Sequence, residues 1–363
     1  MTLSLHLRKN EVVYPGRLTD PPKSSPFGFL PGGFVGGVMD TPDRLFSPAT
    51  DVTLAYQHKP LDALCRAEDV PRKEGRYFYI GLVFPQHFGH FLSEDISRLW
   101  AAPQAGEIDG FVFYSFWPGT PCAPFIQDIT AAFGFRDVPL IEAVEPTAFE
   151  ELVIADPSRL PNGFLAASDE VRVLTDSVIK RINTNFSNVE RPKKLFVSRI
   201  QFSRTDVYGE VFLENEIAEN LRSEGYSVFS PELHSFEEQL HHYASAELLI
   251  FTEGSALHAY ALVARKGQKV FVIQRLISSN TAVLEQISEF ADVTILPSPP
   301  PTRTYRSRKT PQNGSFVLAQ HDFTQLREVL LKHSFISGAP WKLPSEIREK
   351  DELLRLNERF QTM

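Results

Sequence analysis

The sequence predicts an α/β protein of two halves, the first built on a parallel sheet and the second on a doubly wound one. Apolar runs of strand length alternate with amphipathic runs of helix length, the pattern of successive βα units. The alternation occurs twice, on either side of the polar segment "SNVERPKK" at 187–194. With 363 residues, 42% of them hydrophobic and 29 of them Phe, the chain can furnish two packed interiors.

The first half opens on a Pro- and Gly-rich stretch, residues 1–75, which includes "DPPKSSPFGFLPGGFVGGVMDTP". It reads as turns and short strands that either complete the first sheet or cover a ligand site. Tyr77 to Phe84 has the aromatic and β-branched density of a buried strand. In "FGHFLSEDISRLW" (88–100), Phe88, Phe91, Leu92, Leu99 and Trp100 give a helix its apolar face. "GFVFYSF" (110–116) predicts a second strand, "CAPFIQDITAAFGF" a helix stopping near Gly134, and "ELVIAD" (151–156) a third strand. "SDEVRVLTDSVIKRINTNF" (168–186) predicts a helix with Ser168 as its cap.

Beyond the polar segment, "KLFVSR" is a strand and "LENEIAENLRSEGY" a helix stopped by Gly225. "SVFSPE" is a strand, and "SFEEQLHHYASA" a helix with Ser235 and Glu238 at capping-box spacing. "ELLIFTEG" is a buried strand, "SALHAYALVARKG" a helix closed by Gly267, and "KVFVIQ" another strand. "TAVLEQISEF" and "VTILPS" add a helix and a strand. "SPPPTRTYRSRKTPQNG" (298–314) reads as a basic, solvated loop, and "DFTQLREVLLKHSF" as a final helix before a charged tail. In doubly wound sheets ligands sit beyond the carboxyl ends of the strands.

The formal net charge of -8 argues against duplex nucleic acid as a main partner, although local arginines can still hold a small anion. Two cysteines, Cys65 and Cys122, with no CxxC, fit a reducing compartment and give no disulfide scaffold or thiolate zinc site. No window approaches roughly 18 apolar residues, and the start lacks the apolar run of a signal peptide. A cytoplasmic protein is expected, and peripheral association with the inner face of the cytoplasmic membrane is compatible with that.

Three segments carry chemistry. In "IFTEGSALHAYAL" an apolar strand runs into Gly254, Ser255 and Ala256, where small residues admit a ligand to the backbone and a helix start offers unpaired N–H groups. A diphosphate would fit; a plain turn capped by Ser255 is the alternative. Glu253 would repel phosphate if ionised, and could instead hold a sugar hydroxyl or act as a base. In "LFVSRIQFSR", Arg199 ends a strand and Arg204 follows it. Together they could clamp phosphate oxygens, or simply be surface arginines. Glu214 and Asn215 stand at a helix start, to cap it or to orient Arg204. His90 has an ordinary pKa near 6.5, suited to general-base work, with Glu94 or Asp95 to orient it. A core histidine satisfied by hydrogen bonds is the plainer reading, and His87, His90 and Glu94 on one helical face could also bind a metal. "LHHY" (240–243) reads as a solvated helix face.

Taken in order, these segments resemble the glycosyltransferase 61 family, also called DUF563. "FGHFLSEDISRL" is similar to its W-H-W/F-L-x-E/D-x-x-x-R-L segment. "LFVSR…R" with "NEIAENL…GY…V" resembles its L-x-x-R…R…N-E-x-E-L…G-F…V. "PELHSFEEQLHHYASAELLIFTEGSALHAYAL" resembles its P…S-F-x-E-Q…A…G-x-H-G-A-G-L. The resemblance covers roughly residues 77–275. It implies a GT-B fold, two Rossmann-like α/β domains facing across a cleft. It also implies an inverting, metal-independent transfer from a nucleotide-sugar donor, expected to be UDP-linked, to a glycan or glycolipid hydroxyl, with no further cofactor. Bacterial members suggest capsular or other surface-polysaccharide synthesis. By position, the donor side would use Arg199, Arg204, Asn215, Glu238, Thr252, Gly254, Ser255, Ala256 and His258. Catalysis would fall to His90 with Glu94 or Asp95, or to Glu253. The chain departs from the family in one place: Glu253 stands where many members have His, and Ser255 and Ala256 replace Ala and Gly.

The expected domains are an acceptor-side unit at 1–187, a nucleotide-sugar-binding unit at 188–335 and a helical tail at 336–363. Because fold alone does not establish activity, a non-catalytic carbohydrate-binding or assembly subunit is the rival reading.

Overall fold

The computed structural model describes residues 3–20, 23–25, 28–30, 32–41, 44–46, 56–58, 61–189, 191–201, 209–276, 281–309 and 317–362. By compactness the chain divides into Met1–Val178 and Ile179–Met363. The division falls within a helix, Asp169–Asn185.

The first unit carries strands β1 (Leu5–Asp20), β2 (Lys23–Ser25), β3 (Gly28–Leu30), β4 (Gly32–Thr41), β5 (Arg44–Leu45), β6 (Tyr56–His58), β7 (Arg72–Val83), β8 (Gly110–Ser115), β9 (Leu140–Glu142) and β10 (Thr147–Ala155). Its helices are α1 (Phe88–Ser93), α2 (Pro124–Ala132) and the start of α3 (Asp169–Asn185). The main sheet runs β5-β4-β1-β10-β7-β8-β9. Strands β10, β7, β8 and β9 are parallel, but β1 lies antiparallel between β10 and β4. The sheet is therefore mixed, and residues read as turns and short strands complete it. "YPG" at 14–16 looks like a turn, yet the register slips between Tyr14 and Arg17, so Pro15 and Gly16 sit in a bulge. A bulge tolerates the missing N–H of proline. Opposite it Gly36 has φ 139°, and a Cβ there would stand 2.8 Å from the Pro15 carbonyl oxygen. Val13, Tyr79, Val112, Tyr114, Phe149 and Ile154 pack the core.

The helix expected across 88–100 breaks. α1 ends at Ser93, and a 3-10 segment, Asp95–Gln104, follows. Tertiary donors take the carbonyls that a continuous α-helix would use. Leu165 N–H donates to Ser93 O at 2.6 Å, and Ser158 N–H to Ser97 O at 2.8 Å. Arg159 Nη2 donates to Glu94 O at 3.2 Å. Arg98, fully buried, donates to Ala155 O from Nε and to Ile80 O from Nη1, each at 3.1 Å, and so joins β10 to β7 near their carboxyl ends.

The second unit contains β11 (Lys194–Val197), β12 (Glu210–Val211), α4 (Glu214–Ser223), β13 (Ser227–Phe229), α5 (Phe236–Ser245), β14 (Leu248–Thr252), α6 (Ala256–Ala261), β15 (Lys269–Ile273), α7 (Thr281–Phe290) and β16 (Thr294–Pro297). β17 (Arg303–Ser307), β18 (Val317–Gln320), α8 (Phe323–Lys332), α9 (Glu346–Leu356) and β19 (Phe360–Thr362) follow. The main sheet, β13-β11-β14-β15-β16, is parallel throughout. Counted along the chain its order is 2-1-3-4-5, which places a topological switch point between β11 and β14. Phe196, Ile217, Leu221, Ile250, Phe271 and Phe335 form its core.

Two expectations are corrected here. The stretch read as a loop at 298–314 contains β17, which joins a second sheet, β12-β18-β17-β19, closed by the tail. Thr304 and Ser307 are its buried positions, so no apolar alternation marked it. α6 stops at Ala261 instead of continuing to Gly267. Among the described residues no helix is long and apolar enough to cross a membrane.

Candidate functional site

The switch point of the second unit brings three segments to one edge. Arg199 follows β11, residues 253–255 connect β14 to α6, and Arg275 follows β15. Glu214 ties the first two together. Its Oε1 accepts the Arg199 backbone N–H and the Thr252 hydroxyl, both at 2.7 Å. Burial raises the Glu214 pKa, and the bonds from Arg199 and Thr252 and the charges of Arg199 and Arg275 only partly offset this. The residue before it, Leu213, holds φ 54° at the N-cap of α4 and makes no side-chain cap. Neither Glu214 nor Asn215 caps the helix; Asn215 is exposed.

Arg199 Nε donates to Gly209 O at 3.4 Å. Its guanidinium lies across Gly254, where an added Cβ would collide with Nη1 and stand 3.3 Å from Cζ. Arg275 is buried. Its backbone N–H donates to Glu253 Oε2 at 2.6 Å and its Nε to Glu253 O at 2.7 Å. Burial, then the Arg199 charge, lower the Arg275 pKa to about 9, against the pull of Glu253 and Glu214. It therefore stays cationic at neutral pH. Two guanidiniums thus share an edge with the partly exposed Gly254, Ser255 and Ala256, an arrangement suited to anionic oxygens.

The other donor-side candidates have other partners. The Glu253 carboxylate also accepts the Leu276 N–H at 3.1 Å, so it braces the loop after β15. His258 Nδ1 donates to Gln286 Oε1 of α7 at 2.7 Å. Glu238 closes a capping box with Ser235, accepting its N–H and hydroxyl at 2.8 Å each. Burial works against its charge, but the Ser235 bonds prevail and its pKa is lowered. Ser255 stands at the N-cap of α6 without a side-chain cap bond. Arg204 lies outside the described residues. Arg275 was missed because the reading of β15 stopped at Gln274. Its signal was an arginine two residues past an apolar strand, as Arg199 is. "LHHY" is not a solvated face: His241 is buried against Phe186 at 5.1 Å, and His242 stacks on Phe229 at 4.5 Å.

In the first unit, His90 lies just past the carboxyl end of β7. Its Nδ1 donates to Glu94 Oε1 at 2.6 Å, and its ring is 39% exposed while Glu94 is 8% exposed. Burial depresses the His90 pKa, but the Glu94 hydrogen bond and the charges of Glu94 and Asp95 outweigh it, and the net shift is upward. His87 Nδ1 accepts the His90 backbone N–H at 3.3 Å as the cap of α1. Asp95 does not face the imidazole as its partner. Its carboxylate accepts the Phe84 N–H at 2.9 Å, and burial, joined by the Glu94 charge, lifts its pKa to about 8. Among the described residues no group of three or more His, Cys, Asp or Glu side chains converges to hold a metal.

The family model for glycosyltransferase 61 matches residues 88–271, more than half of the 363-residue chain. No curated protein matches the chain. The matched span begins at the helix that carries His90 and runs through the β11 and β14 edges to the strand before Arg275. On that match the chain belongs to the glycosyltransferase 61 family, and its activity is glycosyl transfer.

Proposed function

We propose that the protein is an inverting GT-B glycosyltransferase that moves a sugar from a UDP-linked donor to a glycan hydroxyl in bacterial surface-polysaccharide synthesis, at the cytoplasmic side of the membrane. The observation that carries the chemistry is the 2.6 Å contact between His90 Nδ1 and Glu94. With Nδ1–H given to the carboxylate, Nε2 keeps its lone pair for an acceptor proton. The acceptor oxygen, deprotonated by Nε2, attacks the anomeric carbon from the face opposite the leaving group. The bond from that carbon to the diphosphate oxygen breaks, and the nucleoside diphosphate departs with the electron pair. Arg199 and Arg275 neutralise its growing charge, and Gly254 leaves room for both guanidinium and phosphate. Glu94 stabilises the imidazolium until it returns its proton to water. Glu214 and Glu253 act as positioning residues for the two arginines.

The test is transfer from a panel of nucleotide sugars, with the product anomer read by NMR. His90→Ala is expected to bind donor normally and to lose at least about a hundredfold in rate, the lower end for a general base. Wild-type turnover in His90→Ala, or a product of retained configuration, overturns the mechanism.

A further inference from the structure

An aromatic ladder leads away from His90. The imidazole stacks on Phe84 with centroids 4.3 Å apart, and Phe84 stacks on Phe116 at 4.5 Å. Trp117 meets Phe116 edge-on at 5.3 Å and Phe84 at 6.1 Å. Phe84 and Phe116 are buried, whereas Trp117 is 38% exposed. Trp100, in the same unit, is buried, with its indole N–H on Asp156 O at 2.9 Å. Trp117 thus keeps an apolar ring in water just past the end of β8, the strand beside β7.

Its backbone is held by hydrogen bonds. The Trp117 N–H donates to Ser115 Oγ at 3.0 Å, and its carbonyl accepts the Thr120 N–H at 3.0 Å. From there the chain forms the rim of a cavity of about 650 Å³. Thr120, Cys122, Gln127, Arg136, Asp137 and Glu142 stand in its wall. Glu142 Oε1 accepts the Gly119 N–H at 2.9 Å, which locks the Trp117 loop to that wall.

The wall offers an amide, a hydroxyl, a guanidinium and two carboxylates, donors and acceptors of the kind sugar hydroxyls need. One cation against two carboxylates disfavours a polyanion. The indole presents a flat face for the C–H side of a pyranose. The volume lies within the roughly 300–1,000 Å³ of ligand sites. We propose that Trp117 and this cavity form a subsite for a neutral oligosaccharide, binding the acceptor's sugar units beyond the one presented to His90. This rests on the reading of His90 as the acceptor-side base.

The experiment uses the full chain on an array of neutral di- to hexasaccharides, with indole fluorescence titrated alongside. Retention should fall at least tenfold in Trp117→Ala and largely return in Trp117→Phe. Arg136→Ala, on an exposed side chain, should weaken tetrasaccharides more than disaccharides. An array that retains no wild-type protein overturns the subsite, as do both Ala variants binding like wild type. UDP binding, measured on the same samples, separates the two readings. Trp117-dependent glycan retention without any nucleotide binding supports the subsite and overturns the donor assignment. Transfer to oligosaccharides that Trp117→Ala leaves unchanged overturns the subsite alone.

Discussion

The guanidinium of Arg199 occupies the space that a side chain at position 254 would need. Gly254→Ala should therefore act through Arg199. Arg199→Ala is expected to weaken UDP binding by about 1.5–3 kcal/mol, the range for a hydrogen bond to a charged group. Gly254→Ala should cost a comparable amount, and the double variant far less than the sum, because both remove one interaction. Titration calorimetry of the four proteins checks this, and additive losses would mean that Gly254 serves something else.

Activity should need a neutral His90. Because Glu94 raises its pKa above the ordinary 6.5 while burial opposes, kcat/KM should climb with pH along a limb centred above that value. In Glu94→Gln burial remains without the carboxylate, so the limb should move to lower pH as the rate falls. Pair stability follows the same sign: it is complete below the unfolded pKa and fades as pH rises through the folded one.

Asp95 runs by the same rule with a larger span. Its folded pKa, about 8 against an ordinary 3.8, means the fold favours the protonated acid. That contribution is complete below the unfolded value and disappears as pH rises toward about 8. Asp95→Asn keeps an acceptor for the Phe84 N–H without a charge to desolvate. It should raise Tm relative to wild type near pH 8 and leave it about equal near pH 4. A lower Tm near pH 8 would show that a charged carboxylate is needed there.

Glu214→Ala should orphan the buried Thr252 hydroxyl, at about 1–3 kcal/mol, and the part-buried Arg199 N–H at a smaller cost. Glu214→Gln, which retains an acceptor oxygen, should lose less than half as much. Urea midpoints measure both, and donor affinity should fall in step if Glu214 positions Arg199.

On the proposed mechanism guanidinium charge meets the leaving diphosphate, so transfer should survive chelation. A loss in EDTA that manganese restores would move that role to a metal.

How much of this could be read beforehand depended on whether local pattern and tertiary contact agreed. The placing of Arg199 and the Gly254 turn at the carboxyl edge of a parallel sheet was legible because each ends or follows an apolar strand run. The His90–Glu94 pair followed from four-residue spacing, which survives on a helix of only six residues. The cap reading of Glu214 fails, and nothing in "FLEN" announces the left-handed Leu213 that turns it inward. The helix break at Glu94 was invisible for a similar reason: its causes, Arg159 and Leu165, lie far along the chain. Pro15–Gly16 imitated a turn within the 16-residue β1, and β17 hid behind polar residues.

The placement of β1 also governs the order of assembly. Leu5 pairs with Ala155, so the seam between β1 and β10 joins residues made far apart in time. At about 5–20 residues per second, an emerging chain holds β1 on β4 alone for on the order of ten seconds before β10 arrives. Through that interval one side of β1 is an open strand edge, where a holding chaperone would find its grip.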